Sequence, residues 1–114
     1  MTYNAIKISS GNSFVNETET KVILSGSYDV GFTMDLVNKD LSLFKKLSKE
    51  YSVPIKLGDL INKIFKNGMK KLGRRSFSTS IVKLIENDIK TKFRASNFPK
   101  KLIDTNSKQK GIKL

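Results

Sequence analysis

The residue best placed to do chemistry here is an acid, Asp40, within the stretch from Gly26 to Leu47, GSYDVGFTMDLVNKDLSLFKKL. On a helix its lateral neighbours three and four positions away are Leu36, Val37, Leu43 and Phe44, all apolar. A carboxylate in such a stripe is costly to bury without a partner. Asp40 is therefore either a structural acid satisfied at the edge of the stripe or a group held for a site. Lys39 beside it is placed to pair with Asp35 at i, i+4, a contact worth only about 0.3 to 0.5 kcal/mol on a surface. The sequence contains neither cysteine nor histidine. Disulfides, thiolate metal sites and the usual zinc and general-base chemistry are thereby closed, leaving Lys, Asp, Glu, Tyr or Ser for any catalyst. There is no P-loop, no GxGxxG after a strand, no HExxH and no calcium loop.

The elements that must position these residues read as helices. Residues 1 to 13 carry Tyr3, Ile6 and Ile8 into SSGNS, a helix stop followed by a turn. Phe14 to Lys21 is polar, and Val22 to Leu24 forms an apolar patch that reads as a helical turn or an extended anchor. Thr33 is a candidate N-cap for the next helix, with Asp35 in its first turn. Two adjoining stripes, Val37, Leu41, Phe44, Ser48 and Tyr51 beside Leu36, Asp40, Leu43 and Leu47, predict a wide buried face. Val53-Pro54 breaks that helix.

The following helix is the clearest periodic element. Leu57, Leu60, Ile61, Ile64, Phe65, Gly68, Met69 and Leu72 take predicted core positions; Asp59, Asn62, Lys63, Lys66, Asn67, Lys70 and Lys71 take the wet face. Gly73 is placed to end it, and Gly68 inside the stripe is tolerable where another element approaches closely. Ser78 can cap a third helix carrying Ile81, Leu84, Ile85, Ile89 and Phe93. No strand pattern of useful length appears, so the expected class is all-α.

The chain has 114 residues, enough for one domain, and a net charge of +12. Such charge suits nucleic acid, whose phosphates release counterions to clustered cations. However, only Arg74, Arg75 and Arg94 among the cations are arginines, and a solvated lysine surface fits as well. Eight of the cations lie between Lys90 and Lys113 against the single acid Asp104. Residues 95–114 are accordingly expected to form a basic, flexible or weakly helical tail, with binding to nucleic acid or acidic partners as its own possible role. No apolar run approaches the roughly 20 residues of a membrane span, and no targeting signal is visible, so a cytoplasmic or mitochondrial location is expected.

Taken together, Ser9-Ser10-Gly11-Asn12-Ser13, Gly31-Phe32, Asp35 to Leu41 (DLVNKDL), Val53-Pro54-Ile55 and Ser80 to Glu86 (SIVKLIE) resemble, in order and spacing, the β-hydroxyacid dehydrogenase family. The resemblance covers about residues 4 to 88. It implies the second half of the helical C-terminal domain found in 6-phosphogluconate and 3-hydroxyisobutyrate dehydrogenases, here residues 1–94. It also implies a hydride transfer between NAD or NADP and a small hydroxyacid or semialdehyde, with no metal. By residue match, Lys39 looks like the lysine that reaches the coenzyme, and Phe32 and Asp40 look like residues shaping the active-site cleft.

The departures have consequences. The dinucleotide-binding Rossmann domain and the catalytic lysine that the resemblance implies have no match here, so no catalytic residue is assigned and the chain is expected to be inactive alone. Asn12 stands where the family usually has Arg, and Ser76 where it has an acid. The sequence thus reads as a truncated frame, a gene fragment or one part of a split protein. It is expected to self-associate or to join a Rossmann-domain partner. The rival readings are a basic helical interaction module and a fragment without selected function.

Overall fold

The structure, a computed structural model, describes residues 2–102. Its described elements are helices α1 (Thr2–Lys7), α2 (Phe14–Ser25), α3 (Met34–Glu50), α4 (Lys56–Leu72), a 3-10 turn (Ser78–Ile81) and α5 (Val82–Asp88). The class is all-α. Among the described residues the only β-type pairing is an isolated bridge between Thr33 and Phe77, and no helix is long and apolar enough to cross a membrane.

The polar run after Phe14 and the apolar patch at Val22 to Leu24 belong to one helix, α2. The Asn16 amide donates to the Ser13 hydroxyl at 3.0 Å, which caps the helix. Gly26, at φ 80°, ends it in the left-handed region that glycine enters without steric cost.

The cap of α3 differs from the expectation. Thr33 is the N-cap residue, but its hydroxyl bonds to the Asp35 carboxylate and accepts nothing from the helix amides. The first free amides are met by the chain after α4: Met34 donates to the Ser76 carbonyl at 2.9 Å and Asp35 to the Arg74 carbonyl at 3.1 Å. Loop 74–76 thus fixes the start of α3 against the end of α4. The Ser78 amide donates to the Phe32 carbonyl at 2.8 Å, which anchors Phe32 in the same knot.

Ser78 does not cap a third α-helix. Phe77 precedes a 3-10 turn, and α5 ends at Asp88, before Phe93. Thr91 donates to the Glu86 carbonyl at 3.0 Å and Lys90 adopts φ 51°, which turns the chain back toward α2. Ala95 then donates to the Leu24 carbonyl at 3.0 Å, and the Phe98 ring meets Tyr3 edge-on at 5.4 Å. The remainder of the predicted tail, 103–114, lies outside the described residues.

Among the described residues the buried apolar side chains are Val22, Tyr28 and Met34, of which Val22 and Met34 are fully enclosed. Gly68 is buried, and a Cβ there would collide with the Ile81 side chain and lie 3.2 Å from the Met34 sulfur. This is the close approach that a glycine in the stripe anticipates.

The predicted wide buried face is corrected. Leu43, Phe44, Leu47 and Tyr51 of α3 and its end, with Leu57, Leu60 and Ile64 of α4, are between 43% and 70% exposed. Conversely Asn62, assigned to the wet face, is buried, and its side-chain oxygen has no hydrogen-bond partner. The apolar stripe of α4 is wider than its neighbour covers. Gly58 approaches Phe44 of α3 and Gly68 approaches Met34, Asn62 is buried and Ile61 and Phe65 are half-buried, while Leu57, Leu60 and Ile64 are exposed. Phe44 bridges the two helices across Gly58, and Phe44, Leu47, Tyr51 and Leu57 line shallow hollows at the hairpin end.

Candidate functional site

Asp40 and Lys39 sit next to each other on the exposed side of α3. The ammonium of Lys39 lies 3.2 Å from Asp40 Oδ1, and both side chains are more than half exposed. Asp40 therefore stays hydrated within this chain: of its four apolar neighbours Leu43 and Phe44 are exposed, and Leu36 and Val37 are only half-buried. The expected Lys39 to Asp35 pair does not form. Asp35 instead accepts from Thr33, from the Leu36 amide at 3.1 Å and from Arg75 at 3.2 Å. These bonds, Thr33 foremost, hold its carboxyl below the usual carboxylate range despite an opposing contribution from burial.

Phe32 stands just outside the N-terminus of α3 and is partly exposed. Met34 to Asp40 spans roughly 9 Å of helix axis at 1.5 Å per residue. The structure thus joins Lys39 to Asp40 directly and sets Phe32 at the helix entrance, tied through its carbonyl to Ser78.

A second cluster, missed in the sequence, holds the acid that truly is buried. The Glu86 carboxylate accepts from the Tyr28 hydroxyl at 2.7 Å, the Phe93 amide at 2.8 Å and Arg94 at 2.9 Å. Arg94 also donates to the Tyr28 oxygen at 2.6 Å, and the Lys83 ammonium lies 4.4 Å from the centre of the Tyr28 ring. Burial pushes the Glu86 carboxyl up, but the three donors outweigh it and leave it below its ordinary value. Burial and the Glu86 bond push the Tyr28 phenol up against the pull of Arg94. Tyr28 has φ 56°, an uncommon conformation for an aromatic residue; Thr79 holds its carbonyl at 2.6 Å. With every bond satisfied and partners up to 66 positions apart, this cluster is a structural clamp. The only local signal was an acid on the apolar side of α5.

Among the described residues no group of three or more acids could hold a metal ion. A solvent-facing lysine with an adjacent carboxylate can instead meet an anionic or amide-bearing ligand that arrives from outside the chain.

Residues 1–85 match the family described as NAD-binding of NADP-dependent 3-hydroxyisobutyrate dehydrogenase. The chain is also 40% identical over 75 residues to 2-(hydroxymethyl)glutarate dehydrogenase of Eubacterium barkeri, covering 64% of this chain and 25% of that protein. It spans about a quarter of the length of that curated relative. The cofactor of the matched family is a nicotinamide dinucleotide. The match takes in Phe32, Lys39 and Asp40 together with helices α1 to α4, and this all-α chain belongs to the β-hydroxyacid dehydrogenase family.

Proposed function

We propose that residues 1–94 are the C-terminal part of an NAD(P)-dependent 3-hydroxyisobutyrate-type dehydrogenase, serving substrate closure and subunit contact, with 95–114 as a basic extension. The observation that carries this reading is the uncovered apolar face of α3 and α4, from Leu43 to Ile64, beside an exposed Lys39. Contiguous exposed apolar surface of this kind marks an interaction site. The chain spans about a quarter of the curated relative, and in this reading the face receives a Rossmann-domain partner of the kind the family resemblance implies.

The residues fit a dinucleotide on one side only. Lys39 is accessible and is restrained by a single weak partner, so its ammonium is free to turn from Asp40 toward the coenzyme. When bound, the nicotinamide ring supplies the hydride acceptor for oxidation of the hydroxyacid. Lys39 would meet the coenzyme by donating hydrogen bonds, Asp40 would be the charge partner beside it and Phe32 would supply an apolar wall. In this reading the hydroxyl proton would pass to the catalytic lysine that the family resemblance implies, which has no match in this sequence.

The test is calorimetric titration with NAD and NADP of the purified chain, alone and mixed with a separately expressed Rossmann half from a family enzyme. Binding or hydride transfer should appear only in the mixture and be lost in Lys39→Ala and Asp40→Ala. A mixture in which the halves neither associate nor bind coenzyme would overturn the proposal.

A further inference from the structure

The solvent side of α4 carries an unbalanced run of charge. From Lys63 to Arg75 the chain has six cations and no acid. Lys63, Lys66 and Lys70 recur at three- and four-residue spacing along one side of the helix, and Arg74 follows just past its end. All four are exposed. Lys66, Lys70 and Arg74 line one open hollow together with Met69, so these three cations share a single surface. Among the described residues no carboxylate stands within ion-pair distance of any of the three. The acids closest in the fold are already taken, Asp59 by Lys45 at 2.6 Å and Asp35 by Arg75 at 3.2 Å. The helix dipole accounts for Lys70 in the last turn, but its effect does not reach back to Lys66 and Lys63.

From these observations we infer that the ridge from Lys63 to Arg74 binds the phosphate backbone of double-stranded nucleic acid without regard to base sequence. Lys63 and Lys70 stand about 10 Å apart along the helix axis, a span that faces several phosphates of a duplex, and released counterions supply the free energy. No aromatic side chain lines the hollow, so it offers unpaired bases nothing to stack on and suits a duplex rather than a single strand. A bilayer surface would require apolar side chains among the cations; Met69 alone is apolar in the lining, and none of Leu57, Leu60 and Ile64 belongs to it. The inference does not rest on the dehydrogenase reading, since Lys39, Asp40 and the exposed apolar edge of α4 take no part in it.

The test is fluorescence anisotropy of a labelled random-sequence DNA duplex of about 20 base pairs, titrated with the full chain at a series of salt concentrations. Saturable binding that weakens steeply with salt is expected. Lys66→Gln, Lys70→Gln and Arg74→Gln combined should lower the affinity at least tenfold. They should also flatten the slope of log affinity against log salt by about 2.7, at about 0.9 for each lost phosphate contact. The three side chains are exposed, so the melting temperature should stay that of the parent chain. The same charge removed elsewhere, by Lys100→Gln with Lys101→Gln and Lys108→Gln, should leave the slope within about 0.5 of the parent value. The inference is overturned by no binding at low salt, by a slope that the ridge variant does not move, or by an equal or larger loss in the second variant. Equal affinity for poly-glutamate, or a preference for phosphatidylserine vesicles over the duplex, overturns it as well.

Discussion

Arg94 donates to the buried Glu86 carboxylate at 2.9 Å and to the Tyr28 oxygen at 2.6 Å, and the two bonds together fasten the chain beyond α5 to α5 and to the turn that follows α2. Glu86 is 6% exposed and Arg94 about a third. Removing Arg94 leaves a buried carboxylate short of its cation, so Arg94→Met should destabilise by about 1 to 3 kcal/mol. Glu86→Gln keeps the shape but places an amide nitrogen or a neutral oxygen opposite the guanidinium, and should cost a similar amount. Urea melts of the two single variants and of the double variant would expose the coupling. Strictly additive losses would mean the two side chains do not act as a pair.

The same clamp sets a pH dependence at both ends. The Glu86 carboxyl lies below its ordinary value in the folded chain, so its stabilisation is fully present above the unfolded value near 4.5. It is lost as pH falls through the lower folded value, because the unfolded state takes up the proton first. The Tyr28 phenol lies above its ordinary value of 10.0, so its contribution is present below that pH and lost as pH rises beyond it. Melting temperature against pH should therefore fall at both extremes. In Glu86→Gln the acid limb should flatten in part, leaving the share that belongs to Asp35 and Asp59, both also lowered, the former chiefly by Thr33 and the latter by Lys45.

At Gly68 two effects oppose each other. Alanine gains about 1 kcal/mol of helix propensity over glycine. Its methyl group collides with the end of the Ile81 side chain and crowds the buried Met34 sulfur, and overpacking of this kind costs about 1 to 3 kcal/mol. Gly68→Ala should therefore be destabilising on balance. Ile81→Val removes the colliding methyl, so the double variant should be more stable than the two single losses predict. A simple sum in thermal melts would place the strain elsewhere.

The Lys39 to Asp40 pair offers a different expectation. Both side chains are more than half exposed and the contact is between sequence neighbours. Lys39→Ala and Asp40→Ala should each leave stability within about 0.5 kcal/mol of the parent chain. A loss well beyond that, seen in a urea melt, would make the pair a structural element and remove the reason for assigning it to a coenzyme.

Much of the helix plan was legible because periodicity, Pro54 and Gly73 are local signals, and the breaks at Val53-Pro54 and Gly73 stand where those residues require. The motif around Lys39 and Asp40 was legible as a word. What periodicity could not convey was cover. It marks Leu43, Leu47, Leu60 and Ile64 as apolar, but whether anything lies over them depends on other parts of a protein. Asp40, readable from sequence as an edge acid or as a group held for a site, stands exposed beside Lys39, and Asn62 was misplaced because the buried side of α4 is rotated from its apolar stripe. The clamp of Tyr28, Glu86 and Arg94 was invisible because its members are joined by the turn after α5, whose return toward α2 has no periodic signature. Thr33 shows a subtler miss: the right residue stands at the helix start, but Asp35 competes for its hydroxyl and loop carbonyls take over the capping.

The uncovered face itself yields a prediction that separates folding from association. Leu47 and Leu60 are 51% and 54% exposed, so changing them removes little packing within the chain. Burying each against a partner would be worth about 1 to 2 kcal/mol at 25 cal/mol per Å² of apolar area. Leu47→Lys with Leu60→Lys should therefore leave the melting temperature nearly unchanged at low protein concentration, while weakening association with the complementing half by at least tenfold. Light scattering of the purified chain across a hundredfold concentration range, and then of the mixture, would read both effects. Unaltered association in the double variant would mean that a complementing half does not dock on this face, and would remove the observation on which the proposed completion rests.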